Sequence, residues 1–213
     1  TGLSGGLNRW LPGAEPEMAT PEGVAAPTVE GDSSEVVTGK DDRPLQTPAQ
    51  RLGLGGKART KAVKCLTEAV YFEARGEPLR GQEAVAQVVM NRVFSGYYPS
   101  DVCGVVFQNA SHYLGCQFTF ACEHKDLTRI EEPDMWALAE RIANDTLDGK
   151  IWLADIGHAT HYHAYWVHPS WVHEMTRLYK LGVHTFYRPR AWGNGDSEPV
   201  WGAPPNTSQA DPK

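Results

Sequence analysis

The sequence lacks a long apolar run and the usual signatures of a zinc site. No stretch of its 213 residues approaches the ~18 consecutive apolar residues that a membrane-spanning helix needs. It contains no Cys-x-x-Cys pair, so a structural zinc site is a poor fit, and no His-Glu-x-x-His motif of a zinc peptidase. The chain also starts at Thr1 without an apolar leader. Because export signals are removed from mature proteins, that start is uninformative about the compartment.

The chain also lacks an excess of positive charge. It has 20 Lys and Arg against 26 Asp and Glu, a formal net charge of −6. Residues 59–192 carry 14 basic and 15 acidic side chains, so this part is almost neutral, and the flanks carry 6 and 11. A basic stripe is missing, which argues against nucleic acid as the main partner.

Aromatic residues are scarce at both ends of the chain. Residues 1–58 are rich in Gly, Pro, Thr and Glu and show no sustained periodicity. Such a segment cannot bury enough apolar surface to offset its conformational entropy, so we predict a disordered or linker segment. Residues 193–213, which contain four prolines, are predicted to form a flexible tail. Five of the seven tryptophans lie in residues 59–192, which we predict to be one folded domain.

Helical periodicity predominates within that domain. Apolar residues at steps of three and four predict helices over residues 60–74, from residue 78 or 81 to 94, and over residues 133–147. Alternation, or a high content of β-branched and aromatic residues, predicts strands over residues 117–121 and 160–167. One or two helical turns are expected within residues 170–181. The prediction is therefore an α+β domain that is mainly helical with small β elements.

One carboxylate stands out by its position on the first predicted helix. Ala62, Leu66 and Ala69 recur at steps of four and three, and at about 100° per residue Glu73 falls within about 20° of Ala62. Glu73 should therefore point to the buried face, close to the negative end of the helix dipole. A carboxylate there is hard to ionise, which is how a general acid is kept protonated near neutral pH. From helix geometry alone, a structural glutamate paired with Arg75 or Arg92 is an equal alternative.

Four segments of the sequence resemble a known family. They read YFEARGEPLRGQEAVAQVVMNRV from residue 71, CQFTFAC from 116, ATHYHAYWVHPSW from 159 and HTFYRPRAW from 184. Together they resemble the cell-wall hydrolases of the spore-cortex-lytic (SleB) type over roughly residues 59–192. The resemblance implies a compact lysozyme-like domain that acts on the glycan strands of peptidoglycan and asks for no metal or other cofactor.

The resemblance also implies which residues form the site. The family's catalytic glutamate is the first Glu of EARGE, which is Glu73 in this sequence. The matching segments imply that Gln117 and Thr119 line the cleft and that Tyr162 offers a stacking face and a hydroxyl. Arg75 is a candidate for orienting a carboxylate or for binding the lactyl or peptide part of the substrate.

The reaction implied by the resemblance needs one glutamate. Many members of the family are lytic transglycosylases, which implies cleavage of the MurNAc–GlcNAc β-1,4 bond. The glutamate protonates the leaving oxygen, then takes a proton from the substrate's C6 hydroxyl and leaves a 1,6-anhydro end. A two-carboxylate hydrolase would need a partner, for which Glu77 and Glu123 are candidates. Because Gly76 and Pro78 interrupt the helix around it, Glu77 is favoured as a surface or capping carboxylate.

Three other functions stay open. A wall peptidase would use a Cys/His pair, and any of the cysteines could in principle meet a histidine. A non-catalytic peptidoglycan-binding module would keep an aromatic cleft and tolerate loss of Glu73. A muramidase with a second carboxylate is the third variant.

Five histidines lie close together in sequence: His158, His161, His163, His168 and His173. His161 and His163 would share one face of a strand, a spacing that metal ligands use. Structural or sugar-contacting histidines are the favoured interpretation, and we predict no metal. The segment His163-Ala164-Tyr165 departs from the Tyr-Asn-Pro of Bacillus-like members.

The four cysteines allow three pairings. Cys116 and Cys122 could close a short loop, which would leave Cys65 with Cys103. An even count fits an oxidising compartment, and a wall-acting enzyme must be exported, so we expect a periplasmic, cell-envelope or secreted location. Four reduced thiols in a cytosolic protein are the alternative.

Overall fold

The structure is a computed structural model that describes residues 46–111, 118–123 and 126–202. The helices of this part are α1 (Pro48–Arg51), α2 (Gly56–Ala74), α3 (Leu79–Phe94), α4 (Val102–Val106) and α5 (Pro133–Leu147). The strands are β1 (His161–Ala164), β2 (Met175–Leu181) and β3 (His184–Pro189). The predicted class, a mainly helical α+β domain, is confirmed.

The core lies between α2, α3 and α5, the three helices that periodicity predicts. Leu66 and Val70 of α2, Val89 of α3 and Ala143 of α5 have no exposed surface. Full burial of a Val or Leu side chain contributes about 1.5–3 kcal/mol. The large apolar faces therefore fix the packing of these helices and the direction in which α2 presents its C-terminal end. Of the described helices, none combines the length and apolarity needed to cross a bilayer.

The sheet is antiparallel and has the strand order β1-β3-β2. The central strand β3 is buried over its first five residues. β2 and β3 form a hairpin whose loop is Gly182-Val183, since Leu181 pairs with His184. Gly182 has φ +56°, and glycine at the first loop position is the requirement of a tight II′-type turn. The partner strand β1 places Tyr162 opposite Phe186 on the face toward the helices.

The predicted helical turns over residues 170–181 are wrong for their second half. Residues Ser170–Glu174 form a 3₁₀ helix, but Met175–Leu181 are strand β2. Most side chains of β2 are exposed, so its apolar residues show no clear period. Backbone pairing with the buried strand β3 decides its conformation, and such long-range pairing is invisible to local periodicity.

The predicted strand over residues 117–121 is also wrong where the structure describes it. Thr119–Ala121 form a short 3₁₀ helix. Phe118 and Phe120 are both buried, 1% and 2% exposed, as core residues. The alternation in burial is therefore real, but a turn produces it, with the Cys122 N–H donating to the Thr119 carbonyl at 3.2 Å. Gln117 lies outside the described residues.

The predicted disulfide between Cys65 and Cys103 is present and joins α2 to α4. The bridge links residues 38 apart, which on the chain-entropy account stabilises the fold by about 4 kcal/mol. Cys122 is also disulfide-bonded. Its predicted partner, Cys116, lies outside the described residues.

Ordered structure continues on both sides of residues 59–192. On the N-terminal side, the Thr47 hydroxyl accepts the N–H of Gln50 and the Gln50 side chain accepts that of Thr47, a capping box that starts α1. On the C-terminal side, Trp201 is 1% exposed and its indole donates to Asn91 Oδ1 at 3.1 Å. We therefore propose a folded domain over about residues 46–202. The predicted linker and tail, at residues 1–45 and 203–213, lie outside the described residues.

Candidate active site

Glu73 is the next-to-last residue of α2. The face of α2 that carries Ala62, Leu66 and Ala69 is buried, as the phase argument requires, and Glu73 is half-buried at its end. Its neighbour Phe72 stacks on Phe120 at a centroid distance of 5.2 Å. This contact brings the turn that begins at Thr119 next to the end of α2.

Tyr162 of β1 meets Glu73 across the space between sheet and helix. The Tyr162 hydroxyl donates to Glu73 Oε2 at 3.2 Å, a contact between residues 89 apart in the sequence. Its ring packs against His184 and Phe186, with centroid distances of 4.9 and 5.7 Å. Burial raises the pKa of Tyr162 well above its ordinary value, and the Glu73 carboxylate raises it further. Tyr162 therefore stays protonated and acts as a hydrogen-bond donor to Glu73.

Arg92 of α3 supplies a buried positive charge beneath this pair. It is 2% exposed, and its Nε donates to the Thr160 carbonyl at 2.7 Å. The guanidinium lies over the rings of Tyr98 and Phe118, at 5.2 and 5.1 Å. Burial lowers the pKa of Arg92, whereas Tyr98, Tyr162 and Glu73 raise it. An arginine stays charged under such a balance, so its positive charge acts on both Glu73 and Tyr162.

From the sequence, Arg92 is predicted only as a structural partner of Glu73. The available signal was its place in the NRV end of the first resembled segment. Its burial against two aromatic rings follows from tertiary packing, which no local pattern reports.

The side chain of Glu77 is hydrogen-bonded to the loop between β2 and β3. Its Oε2 accepts the backbone N–H of Val183 in the β2–β3 loop at 3.1 Å. This agrees with the favoured interpretation of Glu77 as a capping carboxylate. Glu123, the other candidate for a second carboxylate, is exposed and follows the 3₁₀ helix at Thr119–Ala121.

Arg75 and Thr119 lie at the rim of the site. Arg75 Nε donates to Glu132 Oε1 at 2.8 Å, and its guanidinium lies 5.0 Å from the centre of the Tyr71 ring. Its ion pair is thus formed with Glu132. Thr119 is exposed at the start of its turn, between two buried phenylalanines. A role for either residue in substrate binding stays a prediction.

The two histidines of β1 lie on the opposite face of the strand from Tyr162. His163 Nε2 and the Tyr187 hydroxyl are hydrogen-bonded at 2.9 Å, and their rings stack at 5.1 Å. His161 Nδ1 lies 3.0 Å from the Thr160 hydroxyl. Burial, together with the charge of Arg92, lowers the pKa of His161 to about 4. His161 is therefore neutral at physiological pH.

The other predicted histidines are spread over different surroundings. His158 lies beside Glu198, with Nδ1 and Oε2 3.6 Å apart, while His168 and His173 are exposed. Over residues 46–111, 118–123 and 126–202, no three His, Cys, Asp or Glu side chains are grouped so as to hold a metal ion.

Among the described residues, no cysteine has a free thiol that could act as a nucleophile. Cys65, Cys103 and Cys122 are all disulfide-bonded. Since a disulfide sulfur cannot ionise to a thiolate, none of the three can serve as the nucleophile of a Cys/His peptidase.

Comparison with known proteins identifies similar sequences and structures. The profile of the Cell Wall Hydrolase family matches residues 76–187, and Glu73 lies just before the start of that match. The spore cortex-lytic enzyme of Bacillus subtilis (strain 168) is 50% identical over 46 residues, which is 22% of this chain and 15% of the relative. That of Halalkalibacterium halodurans is 31% identical over 125 residues, 58% of this chain and 34% of the relative. The chain thus matches about a third or less of these curated relatives.

A solved structure is similar as well. The catalytic domain of the germination-specific lytic transglycosylase SleB from Bacillus anthracis is 30% identical. The alignment covers 63% of this chain and 100% of that domain, with a TM-score of 0.49. The catalytic domain of the Bacillus cereus SleB protein is also 30% identical, with the same coverage and a TM-score of 0.47.

Proposed function

Because this chain belongs to the cell wall hydrolase family, we propose that it is an enzyme that degrades peptidoglycan. Its substrate is the glycan strand, and it cleaves the β-1,4 bond between MurNAc and GlcNAc as a lytic transglycosylase. The name of the family and the name of its relatives, spore cortex-lytic enzyme, support this substrate class. The observation that carries the proposal for the site is the 3.2 Å hydrogen bond from Tyr162 to Glu73 at the end of α2.

Glu73 acts in turn as acid and base. Its carboxyl proton passes to the glycosidic oxygen as the bond from that oxygen to C1 of MurNAc breaks, and positive charge develops on the sugar ring. The resulting carboxylate then takes the proton of the C6 hydroxyl while O6 bonds to C1. No water is consumed, and the product has a 1,6-anhydro end. Proton transfer by a positioned side chain contributes roughly 10²–10⁴ in rate.

Tyr162 and Arg92 adjust the carboxyl group to this task. Tyr162 holds Glu73 Oε2 and so sets the plane of the carboxyl group. A neutral donor stabilises the carboxylate that forms after the first proton transfer without adding a charge to the site. The buried positive charge of Arg92 lowers the free-energy cost of forming that carboxylate. Both residues therefore assist the half of the reaction in which Glu73 gives up its proton as the acid.

A single-carboxylate mechanism is supported by what Glu77 does. Retaining and inverting glycosidases place a second carboxyl group roughly 5–9.5 Å from the first. Glu77 is the acidic residue nearest in sequence to Glu73, and its carboxylate is used by the β2–β3 loop. Using the substrate's own hydroxyl removes the need for that second group.

Substrate binding extends the proposal to the rim of the site. Gln117 and Thr119 contact the sugars beside Glu73, and Arg75 binds the lactyl or peptide part of the strand. The Arg75–Glu132 ion pair is half-exposed, so a substrate carboxylate can compete for the guanidinium.

The enzyme works in the periplasm, in the cell envelope or outside the cell. The support is the Cys65–Cys103 disulfide, because structural disulfides persist in oxidising compartments. Non-reducing peptide mapping of the isolated protein tests it. The expected result is a Cys65–Cys103 cross-linked peptide, and free thiols that alkylate at both positions would contradict it.

Mass spectrometry of digested peptidoglycan tests the proposed bond. Purified sacculi treated with the full chain should release muropeptides whose stem peptides are intact and whose MurNAc ends are lighter by one water than reducing ends. Cut stem peptides would mean a peptidase, and binding without any release would mean a non-catalytic module. The Glu73→Gln protein is the matched blank.

A further inference from the structure

Through a hydrogen bond, Glu77 connects the loop of the β2–β3 hairpin to the segment that follows α2. Its Oε2 accepts the N–H of Val183, one of the two loop residues, at 3.1 Å. The other loop residue, Gly182, leaves room for this approach, because a Cβ there would overlap the same carboxylate oxygen. Gly182 also has a positive φ of +56°. Both the backbone shape and the space at residue 182 are therefore matched to the Glu77 side chain.

The backbone of Glu77 is itself held in place. Its N–H donates to the Ala74 carbonyl at 2.9 Å, which ties it to the last residue of α2. Its carbonyl accepts from Gln82 Nε2 at 3.0 Å, and Gln82 is 1% exposed within α3. Glu77 is thus fixed relative to both helices that flank the Glu73 end of the site.

The hairpin tip leads directly to Tyr162. His184 follows Val183, is 7% exposed, and packs edge-on against the Tyr162 ring at 4.9 Å. Burial lowers the pKa of His184, while the charge of Glu77 raises it, so the carboxylate and the imidazole are neighbours. Glu77 follows Glu73 by four residues, and its contact with Val183 leads through His184 and Tyr162 back to Glu73.

We propose that Glu77 is a positioning residue that holds the hairpin so that Tyr162 keeps its hydroxyl on Glu73. The proposal rests on the proposed role of Glu73 as the acid and base. A displacement of about 1 Å at a reacting group can cost on the order of 10² in rate. What Glu77 supplies is a hydrogen-bond acceptor at the right distance, and not a titrating proton.

Two conservative variants separate distance from charge. Glu77→Gln keeps the length and an acceptor oxygen but loses the charge. Glu77→Asp keeps the charge but is shorter by one methylene, so it withdraws from Val183. With the full chain and purified peptidoglycan at saturating concentration, we expect Glu77→Gln to retain kcat within about 3-fold. Glu77→Asp should lower kcat about 10- to 100-fold, the range of a misplaced reacting group. KM should change little in either variant.

A double-mutant cycle with Tyr162→Phe shows whether the effect passes through Tyr162. Coupled residues give non-additive effects, whereas a general loss of packing adds to the other change. In the Tyr162→Phe background we expect Glu77→Asp to cost less than about 3-fold. Equal costs in the two backgrounds, or a Glu77→Asp variant with full activity, would overturn the positioning role and leave Glu73 untouched.

The opposite pattern of activities in the two Glu77 variants would show that the proposed function itself is wrong, and not only the positioning role. If Glu77→Gln is as inactive as Glu73→Gln while Glu77→Asp is active, Glu77 acts by ionising, and both the positioning role and the one-carboxylate mechanism are wrong. Circular dichroism and the melting temperature of each variant establish that a folded protein is being compared. Should Glu77→Asp fail to fold, Glu77→Met takes its place, because it keeps the length of the side chain but removes the acceptor oxygen. A kcat that is about 10- to 100-fold lower in a folded Glu77→Met protein upholds the proposal, and full activity overturns it.

Discussion

The two faces of strand β1 carry tyrosine and histidine side chains in very different settings. On one face the Tyr162 hydroxyl donates a hydrogen bond to the Glu73 carboxylate at the end of α2. On the other, His163 is hydrogen-bonded to the Tyr187 hydroxyl and its ring stacks on the Tyr187 ring. Both faces have a tyrosine hydroxyl in a hydrogen bond, at 3.2 Å for Tyr162 and at 2.9 Å for Tyr187. Hydrogen bonding alone therefore does not distinguish the proposed site tyrosine from a structural one. What differs is the partner, a carboxylate for Tyr162 and an imidazole for Tyr187.

One short strand can therefore contribute to the proposed active site with one face and to stability with the other. Alternation places successive side chains on opposite faces, so the residues of β1 contribute to two different sets of contacts. Variants on the Tyr162 face should change the rate of catalysis, and variants on the histidine face should change the free energy of unfolding.

The largest effect is expected at Glu73. Glu73→Gln removes the transferable proton while keeping the shape, so the rate should fall by about 10²–10⁴ and the fold should persist. Release of soluble muropeptides from sacculi measures the rate. Glu140→Gln, an exposed position on α5, is the matched control and should be fully active. Near-normal turnover by Glu73→Gln would remove Glu73 from the mechanism.

Tyr162→Phe should have the next largest effect on activity. A hydrogen bond to a charged group contributes about 1.5–3 kcal/mol, which corresponds to roughly 10- to 100-fold in rate if it is used fully in the transition state. We expect a fall of that order in kcat. An unchanged kcat would show that both faces of β1 are only structural and would erase the distinction between them.

His161 should make the histidine face sensitive to acid. Its pKa is lowered to about 4 in the folded protein from an ordinary value of 6.5, so the unfolded chain binds a proton more readily between these values. The contribution of the neutral His161 ring to the free energy of unfolding is therefore fully present above about pH 6.5 and is lost as the pH decreases toward 4. For this half-buried ring we expect a loss on the order of 1–2 kcal/mol after solvent screening.

Urea unfolding between pH 4 and pH 7 measures that loss. In His161→Gln the curve should be flatter over this range, whereas substitution of the exposed His168 by Gln should leave it unchanged. Equal slopes in the wild type and in His161→Gln would show that this ring does not carry the acid sensitivity.

Tyr187→Phe should give the smallest effect and is the direct counterpart of Tyr162→Phe. It removes only the hydroxyl that pairs with His163, which costs about 0.5–1.5 kcal/mol. Chemical denaturation should show that loss while kcat stays within about 2-fold. A large loss of kcat in a well-folded Tyr187→Phe protein would mean that the two faces are not independent.

The sequence was sufficient for the parts of the molecule that local periodicity determines. Helices α2, α3 and α5 have sustained apolar faces, and their positions were predicted to within a few residues. The phase of α2 also predicted that Glu73 would end a buried face. Tyr162, in contrast, was available only through the family resemblance, because nothing local indicates that its hydroxyl reaches a residue 89 positions earlier.

The parts that were missed depend on contacts between distant segments. Strand β2 was predicted as helical because its exposed side chains give no period, and its pairing with β3 decides its form. The Glu77–Val183 contact spans 106 residues, and the burial of Arg92 depends on rings from two other segments. The Gly-Val loop between two strands was the one local signal for the hairpin, since glycine is favoured at that position.

Digestion of peptidoglycan in water enriched in heavy oxygen distinguishes attack by the C6 hydroxyl from attack by water. If Glu73 works alone and the C6 hydroxyl is the nucleophile, every new MurNAc end is a 1,6-anhydro sugar that carries no heavy oxygen. Incorporation of one heavy oxygen at each new reducing end would mean that water attacks the sugar. That result would contradict the one-carboxylate account and require a second carboxylate, with Glu77 or Glu123 as the group to examine.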